Sequence, residues 1–324
     1  MAENSENTTR IKSKKLKVKK ETVIIQTETE CDIYRLKIKL AALDETKTLL
    51  KKLHLLKVEK TYEIRRKEKQ KAQEGKTMCV TFDFMQNLPL HHIRTSDVFF
   101  SRQPSWLYVF GIYNVGKNQV VLNSYLETEG KKGQKDVVTL LLRYFSTHGI
   151  HSDKLVLISD GCCGQDNNYV MVYFLYCLVH ALKLFKSIKY IFSIRGHTYL
   201  PNDQDFSLIR NKKKKMTAEV PDDWNDLMET VRKNPSPFIV EKIKYTELMN
   251  IKPTVSLFTS IKTGNEYERR RMFKIIDDVP YVQVRYYCTD PWHRIQIRNK
   301  RKLPEELQFQ PKYNSRLPIN PHKL

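Results

Sequence analysis

An apolar run that stops at a lone acid, Leu155, Val156, Leu157, Ile158, Ser159 and then Asp160, constrains this chain more than any other stretch. A turn rich in glycine and cysteine, 161–165, follows it. A short uninterrupted apolar run bounded by turn residues reads as a strand buried on both faces, as in the middle of a parallel sheet. In open α/β sheets, chemistry collects just beyond the carboxyl ends of the strands. Asp160 stands at such an end. A carboxylate there is costly to bury unless it is paired, hydrogen-bonded or bound to a metal.

The flanking sequence supplies the rest of a sheet. Residues 77–86, TMCVTFDFMQ, alternate with period two and carry Asp83, and Asn87, Leu88 and Pro89 then break the strand. Residues 106–115 and 120–127 are two strands around the turn Gly116-Lys117-Asn118, a hairpin. Helical spacing of Val137, Leu140, Leu141, Tyr144 and Phe145 marks a helix over 136–148. Beyond the strand at 155–159 come an apolar helix at 168–185, a strand at 187–194, the loop 195–202 and a helix at 203–216 with a basic end, Lys212 to Lys215.

The order β-β-β-α-β-α-β-α predicts an α/β fold: a mixed sheet with an antiparallel edge and helices on both faces. It is the order of an RNase H-like core, here over 76–216. Residues 1–30 are polar and read as a disordered basic tail. Residues 31–75 read as a helical arm. Within it, 34–74 lack Gly and Pro and carry leucines at spacings of three and four, with a break near Asp44 and an end at Gly75. The stripe suits a coiled-coil homodimer or the body of the same chain equally well. Residues 217–324 read as a small α+β appendage, with a helix from Pro221 and strands near 238–243, 272–276 and 282–287.

Charge narrows the partners. Lys and Arg number 57 against 36 Asp and Glu, a net charge of +21. Such an excess favours polyanions, with DNA the first expectation. The six cysteines are scattered without a disulfide-framework spacing, which points to a reducing compartment, nuclear or cytoplasmic. The basic cluster at 10–20 suits nuclear import or nucleic-acid binding. No signal peptide is read at the N-terminus, and the longest apolar run, 169–185, includes His180 and Lys183 and suits a core helix better than a membrane span.

In an RNase H-like sheet the first and fourth strands lie side by side in parallel, so Asp83 and Asp160 become neighbours. The helix after the fifth strand brings Asp203 or Asp205 to the same edge. Carboxylates so placed repel one another unless a cation neutralises them, and Mg²⁺ or Mn²⁺ prefers oxygen ligands. Two such ions roughly 4 Å apart promote phosphodiester chemistry. Asp83, Asp160 and Asp203 are the candidate catalytic acids, and Asp83, Asp160, Asp203 and Asp205 the candidate metal ligands. Asn202 and Asp203 also suit a helix N-terminus. His197, beside Gly196, is a candidate to orient a carboxylate or carry a proton. Glu127 is a weaker candidate at a hairpin end, and Asp166 suits a helix cap.

These residues bring out a resemblance. Phe82-Asp83 with Leu88-Pro89, Ser159-Asp160 with Cys162, Gly164-Gln165 and Asn168, and Gly196-His197-Thr198-Tyr199 with Asp203 and Asp205-Phe206 stand in order. Val220-Pro221 and Asp223-Trp224 follow. From about Cys31 onward the chain resembles an uncharacterised, transposon-associated eukaryotic family rich in arthropod members. The resemblance implies a DDE/D transposase-type core with Asp83, Asp160 and Asp203 as its acids. Departures occur at Gly161, Cys163 and Asp166, where the family has amides and glycine, and at Tyr34, where it has the second cysteine of a pair that Cys31 begins, with His54 downstream. The expected function is divalent-metal-dependent hydrolysis or strand transfer on DNA. The alternative is a domesticated, catalytically inactive nucleic-acid-binding or protein-interaction scaffold.

Overall fold

The computed structural model describes residues 45–92, 104–160, 169–194, 196–258, 272–288, 290–297 and 309–319. The tail at 1–30, the arm up to residue 44 with Cys31 and Tyr34, the turn at 161–165 with Asp166, and the basic triplet at 269–271 lie outside the described residues.

Helix α1 (Glu45–Gln73) leads into strand β1 (Met78–Phe84) and the short β2 (Leu88–Leu90). The hairpin of β3 (Ser105–Asn114) and β4 (Gln119–Leu126) follows. Then come α2 (Gln134–His148), β5 (Lys154–Ser159), α3 (Tyr169–His180), β6 (Ser187–Phe192), α4 (Pro201–Lys213) and α5 (Pro221–Val231). The remainder holds β7 (Ile239–Lys242), a 3-10 turn, the short α6 (Lys252–Ser256), β8 (Met272–Ile276), β9 (Tyr281–Arg285) and β10 (His293–Gln296). The strands form one mixed α/β sheet in the order β10-β9-β8-β6-β5-β1-β3-β4-β7, with β2 pairing β3. β1 and β5, β5 and β6, and β4 and β7 run parallel.

Strand alternation sorts the side chains. Met78, Val80 and Phe82 of β1 and Leu155 and Leu157 of β5 face α2 and α3 in the larger core. Cys79 of β1 and Val156 and Ile158 of β5 face the opposite side, where α1 contributes Ala72 and Ile64. On that second side, over β3 and β4, α4 and α5 bury Phe206, Ile209, Trp224 and Met228. Both faces of the central strands are therefore covered, as the apolar runs require.

Three features differ from the sequence reading. The strands past 216 do not stand apart: β7 extends the sheet beyond β4, and β8 to β10 extend it beyond β6. The break at Pro89 is a bulge rather than an end. β1 stops at Phe84, and Leu88, Pro89 and Leu90 resume pairing along the same strand, opposite Leu107, Trp106 and Ser105. A three-residue strand paired on one side tolerates the missing N–H of proline. Helix α3 ends at His180, and the chain turns through Lys183 at φ 51°, whose ammonium meets Asp277 at 2.6 Å.

The described part of the arm lies on its own chain. Glu68, 5 % exposed at its side chain, meets Lys189 of β6 at 2.6 Å. Lys57 stands over the Tyr287 ring at 3.9 Å. Gly75, at φ 72°, ends the helix turn as expected. Among the described residues no helix is long and apolar enough to cross a membrane.

Helix α4 approaches the sheet at Gly111, and only a missing side chain permits it: a Cβ there would stand 2.8 Å from the Phe206 ring. Gly111→Ala is expected to cost about 1–3 kcal/mol by overpacking, read as a lower urea midpoint. A midpoint equal to wild type would contradict this packing.

Candidate functional site

The parallel register of β1 and β5 pairs Thr81 with Ile158. Asp83 lies two residues beyond that pair on β1, and Asp160 two beyond it just past β5, close enough for the charge of Asp160 to act on Asp83. Asp83 shares a face with Cys79 and Thr81 and so points to the side covered by α1 and α4, while Asp160 follows the last residue of β5. Each is half-buried.

Helix α4 delivers the third acid. Its first turn is fixed to the sheet by Asn202, which is fully buried. The Thr81 hydroxyl donates to Asn202 Oδ1 at 2.5 Å, and Asn202 Nδ2 donates to the Gly111 carbonyl at 3.0 Å. Asp203 is thereby held over the same end of the sheet. Its Oδ2 accepts the Leu200 N–H at 2.8 Å, so it also tethers the chain entering the helix.

Electrostatics tie the three together. Burial pushes the Asp83 carboxyl up to about 7, and the charge of Asp160 and, more weakly, that of Asp203 push the same way. The Phe84 N–H, donating at 2.7 Å, and the Lys132 ammonium oppose the rise. Lys132 itself donates to the Met85 carbonyl at 3.2 Å and to Asn87 Oδ1 at 2.8 Å. The acids share one field without converging on one point. Among the described residues no three His, Cys, Asp or Glu are gathered closely enough to hold a metal, and Asp83 and Asp203 each accept a backbone N–H instead.

The other candidates stand elsewhere. Asp205, two residues past Asp203 and on another side of the helix, turns toward the end of α5, where its Oδ1 meets Arg232 Nη1 at 2.9 Å. Burial raises its carboxyl and Arg232 lowers it. That pair engages one oxygen, and Oδ2 is buried without a hydrogen-bond partner. The His197 ring lies 5.2 Å from the His54 ring of α1, and its backbone carbonyl accepts the Tyr62 hydroxyl at 2.9 Å. Glu127 accepts the Trp106 N–H at 3.3 Å and closes the hairpin end.

The sequence reading did not single out Tyr62 and Arg65. Arg65 Nη1 donates to the Thr198 carbonyl at 2.5 Å and Nη2 to the Tyr199 carbonyl at 2.8 Å. Burial lowers the Arg65 guanidinium from its usual value, while Tyr62, Cys79 and Asp203 raise it. Helix α1 thus grips the loop that leads into Asp203. No local pattern marks these two residues, because their partners lie more than a hundred positions away.

A family model described as a domain of unknown function (DUF7869) matches residues 106–290. That span includes Asp160, Asp203 and Tyr199 and begins after Asp83. No curated protein and no solved structure matches the chain.

Proposed function

We propose that this chain, which belongs to the DUF7869 family, performs divalent-metal-dependent hydrolysis or strand transfer on DNA from an RNase H-like core. The observation that carries the reading is the Asp83 carboxyl, raised to about 7 by burial and by the charge of Asp160 and Asp203. Buried acids gathered at a strand end at the expense of stability mark functional sites. The strand order adds support. Counted along the chain without the short β2, the central strands lie third, second, first, fourth, fifth, with the first three antiparallel and the last two parallel to the first.

The donor set is all oxygen and anionic, which fits Mg²⁺ or Mn²⁺. Asp83, Asp160 and Asp203 are the residues that would hold it, drawn closer together than they stand here. When bound, such an ion activates an attacking oxygen and stabilises the leaving one. The protein's part is to fix the acids: β1 and β5 set two by register, and Asn202 and Arg65 set the third through α4 and its entry loop. DNA as partner, a nuclear or cytoplasmic location, and pairing of copies through 34–74 belong to the same reading.

Mn²⁺-dependent nicking of supercoiled plasmid tests it. Asp160→Asn is expected to lower the nicking rate at least about 100-fold, since even outer-shell changes at metal sites cost 10–100-fold. Equal nicking by both proteins rules the catalytic reading out. A second reading, a catalytically inactive nucleic-acid-binding scaffold, is favoured by the engagement of Asp83 and Asp203 with backbone N–H groups. It predicts DNA retention that falls with salt alike in wild type and mutant.

A further inference from the structure

Tyr199 is the most exposed large apolar side chain among the described residues, at 71 %. Its backbone sits at φ 34°, the left-handed region, which costs a non-glycine residue on the order of 1 kcal/mol and persists only where surroundings enforce it. The surroundings here are specific. The Arg65 fork holds the Thr198 and Tyr199 carbonyls, and the Tyr62 hydroxyl holds the His197 carbonyl. Three consecutive residues are thus fixed by one helix face, with side chains three positions apart on α1. The result is a rigid loop that presents an aromatic ring to solvent instead of folding it onto the body.

The ring's place decides what it meets. Tyr199 immediately precedes Leu200, whose N–H donates to Asp203 Oδ2 at 2.8 Å, so the loop that carries the ring lies against the third acid. Arg65, bonded to the Tyr199 carbonyl, feels the charge of Asp203. A strand that reaches Asp203 also reaches the loop that carries this ring. The chain's excess of 21 positive charges favours a polyanion, and a flat exposed ring stacks on nucleobases without regard to sequence. In a duplex the base faces are already covered, so the ring fits an unpaired strand.

We infer that Tyr199, clamped by Arg65 and Tyr62, is a stacking platform for an unpaired nucleobase of the strand lying over the acids. The inference rests on the nucleic-acid reading above and adds to it a preference for single-stranded substrate at that site. Because the side chain is exposed, substitution leaves the fold intact, which the thermal midpoint verifies.

The test is binding of a metal-free single-stranded oligonucleotide carrying 2-aminopurine, followed by anisotropy and by quenching of the probe base. Tyr199→Ala is expected to weaken binding about tenfold, the effect of losing one stacked base, and to remove the quenching. The salt slope stays unchanged because the substitution removes no charge. Tyr199→Trp keeps both signals, and duplex binding changes little. Wild-type affinity and quenching in Tyr199→Ala, or equal losses for duplex and single strand, overturn the platform. If plasmid nicking is absent while Tyr199→Ala still loses oligonucleotide binding, the enzyme reading falls and the platform stands.

Discussion

Asp83→Asn is expected to stabilise the fold at pH 8 by up to about 4 kcal/mol, while removing metal-dependent activity. The carboxyl lies near 7 in the folded chain against an ordinary value of 3.8. An acid raised in this way favours folding at low pH, where it is protonated in both states. Its support is full below about pH 4 and is lost as pH rises through about 7, since the unfolded chain ionises first. The gap of roughly three units, at 1.36 kcal/mol each, sets the upper bound. Asparagine still accepts the Phe84 N–H and carries no charge. Its amide needs partners of its own, which trims the gain. Urea unfolding of both proteins at pH 5 and pH 8 measures this. Wild type should lose stability over that interval relative to the variant, and parallel profiles would show that burial and the neighbouring charges do not raise the Asp83 carboxyl. Mn²⁺ at pH 8 should raise the wild-type midpoint and leave that of the variant nearly unmoved.

Arg232→Ala should unfold the chain more easily by about 3–5 kcal/mol, the cost of leaving a buried charge without its partner. The Arg232 and Asp205 side chains are 5 % and 9 % exposed. Arg232 also donates to the Ser236 carbonyl at 2.7 Å and lies over the Phe238 ring at 4.3 Å. Asp205 Oδ2 is already buried without a hydrogen-bond partner, so the remaining carboxylate would be driven to protonate. Pairing the change with Asp205→Leu should recover most of the loss, because the uncompensated charge goes too. Urea midpoints decide it: a single variant within about 1 kcal/mol of wild type would mean that water reaches Asp205 after all.

The central strands were legible because burial on one or two faces writes period two, or an unbroken apolar run, directly into the sequence. Asp83 and Asp160 were legible for a related reason, since a lone acid in or after such a run breaks the pattern. Asp203 and Asp205 could not be told apart by spacing. The structure adds Arg232, which pairs with Asp205 from 27 positions away, a contact that leaves no local mark. The membership of β7 to β10 in the central sheet was hidden too. Short strands specify their faces but not their neighbours, and pairing partners far apart in sequence leave no local mark. The arm's stripe fitted two partners equally, and contacts such as Glu68 with Lys189 resolve its described part onto its own chain.

The clamp of α1 on the loop at 197–199 joins residues 133 to 135 positions apart. Closing loops of that length costs entropy that grows only with the logarithm of length, but contacts so distant form late. During synthesis α1 and β1 emerge long before the carbonyls they are to hold. The acid trio therefore needs a long stretch of chain: any copy that stops before residue 197 keeps Asp83 and Asp160 while lacking both Asp203 and the loop that Arg65 grips.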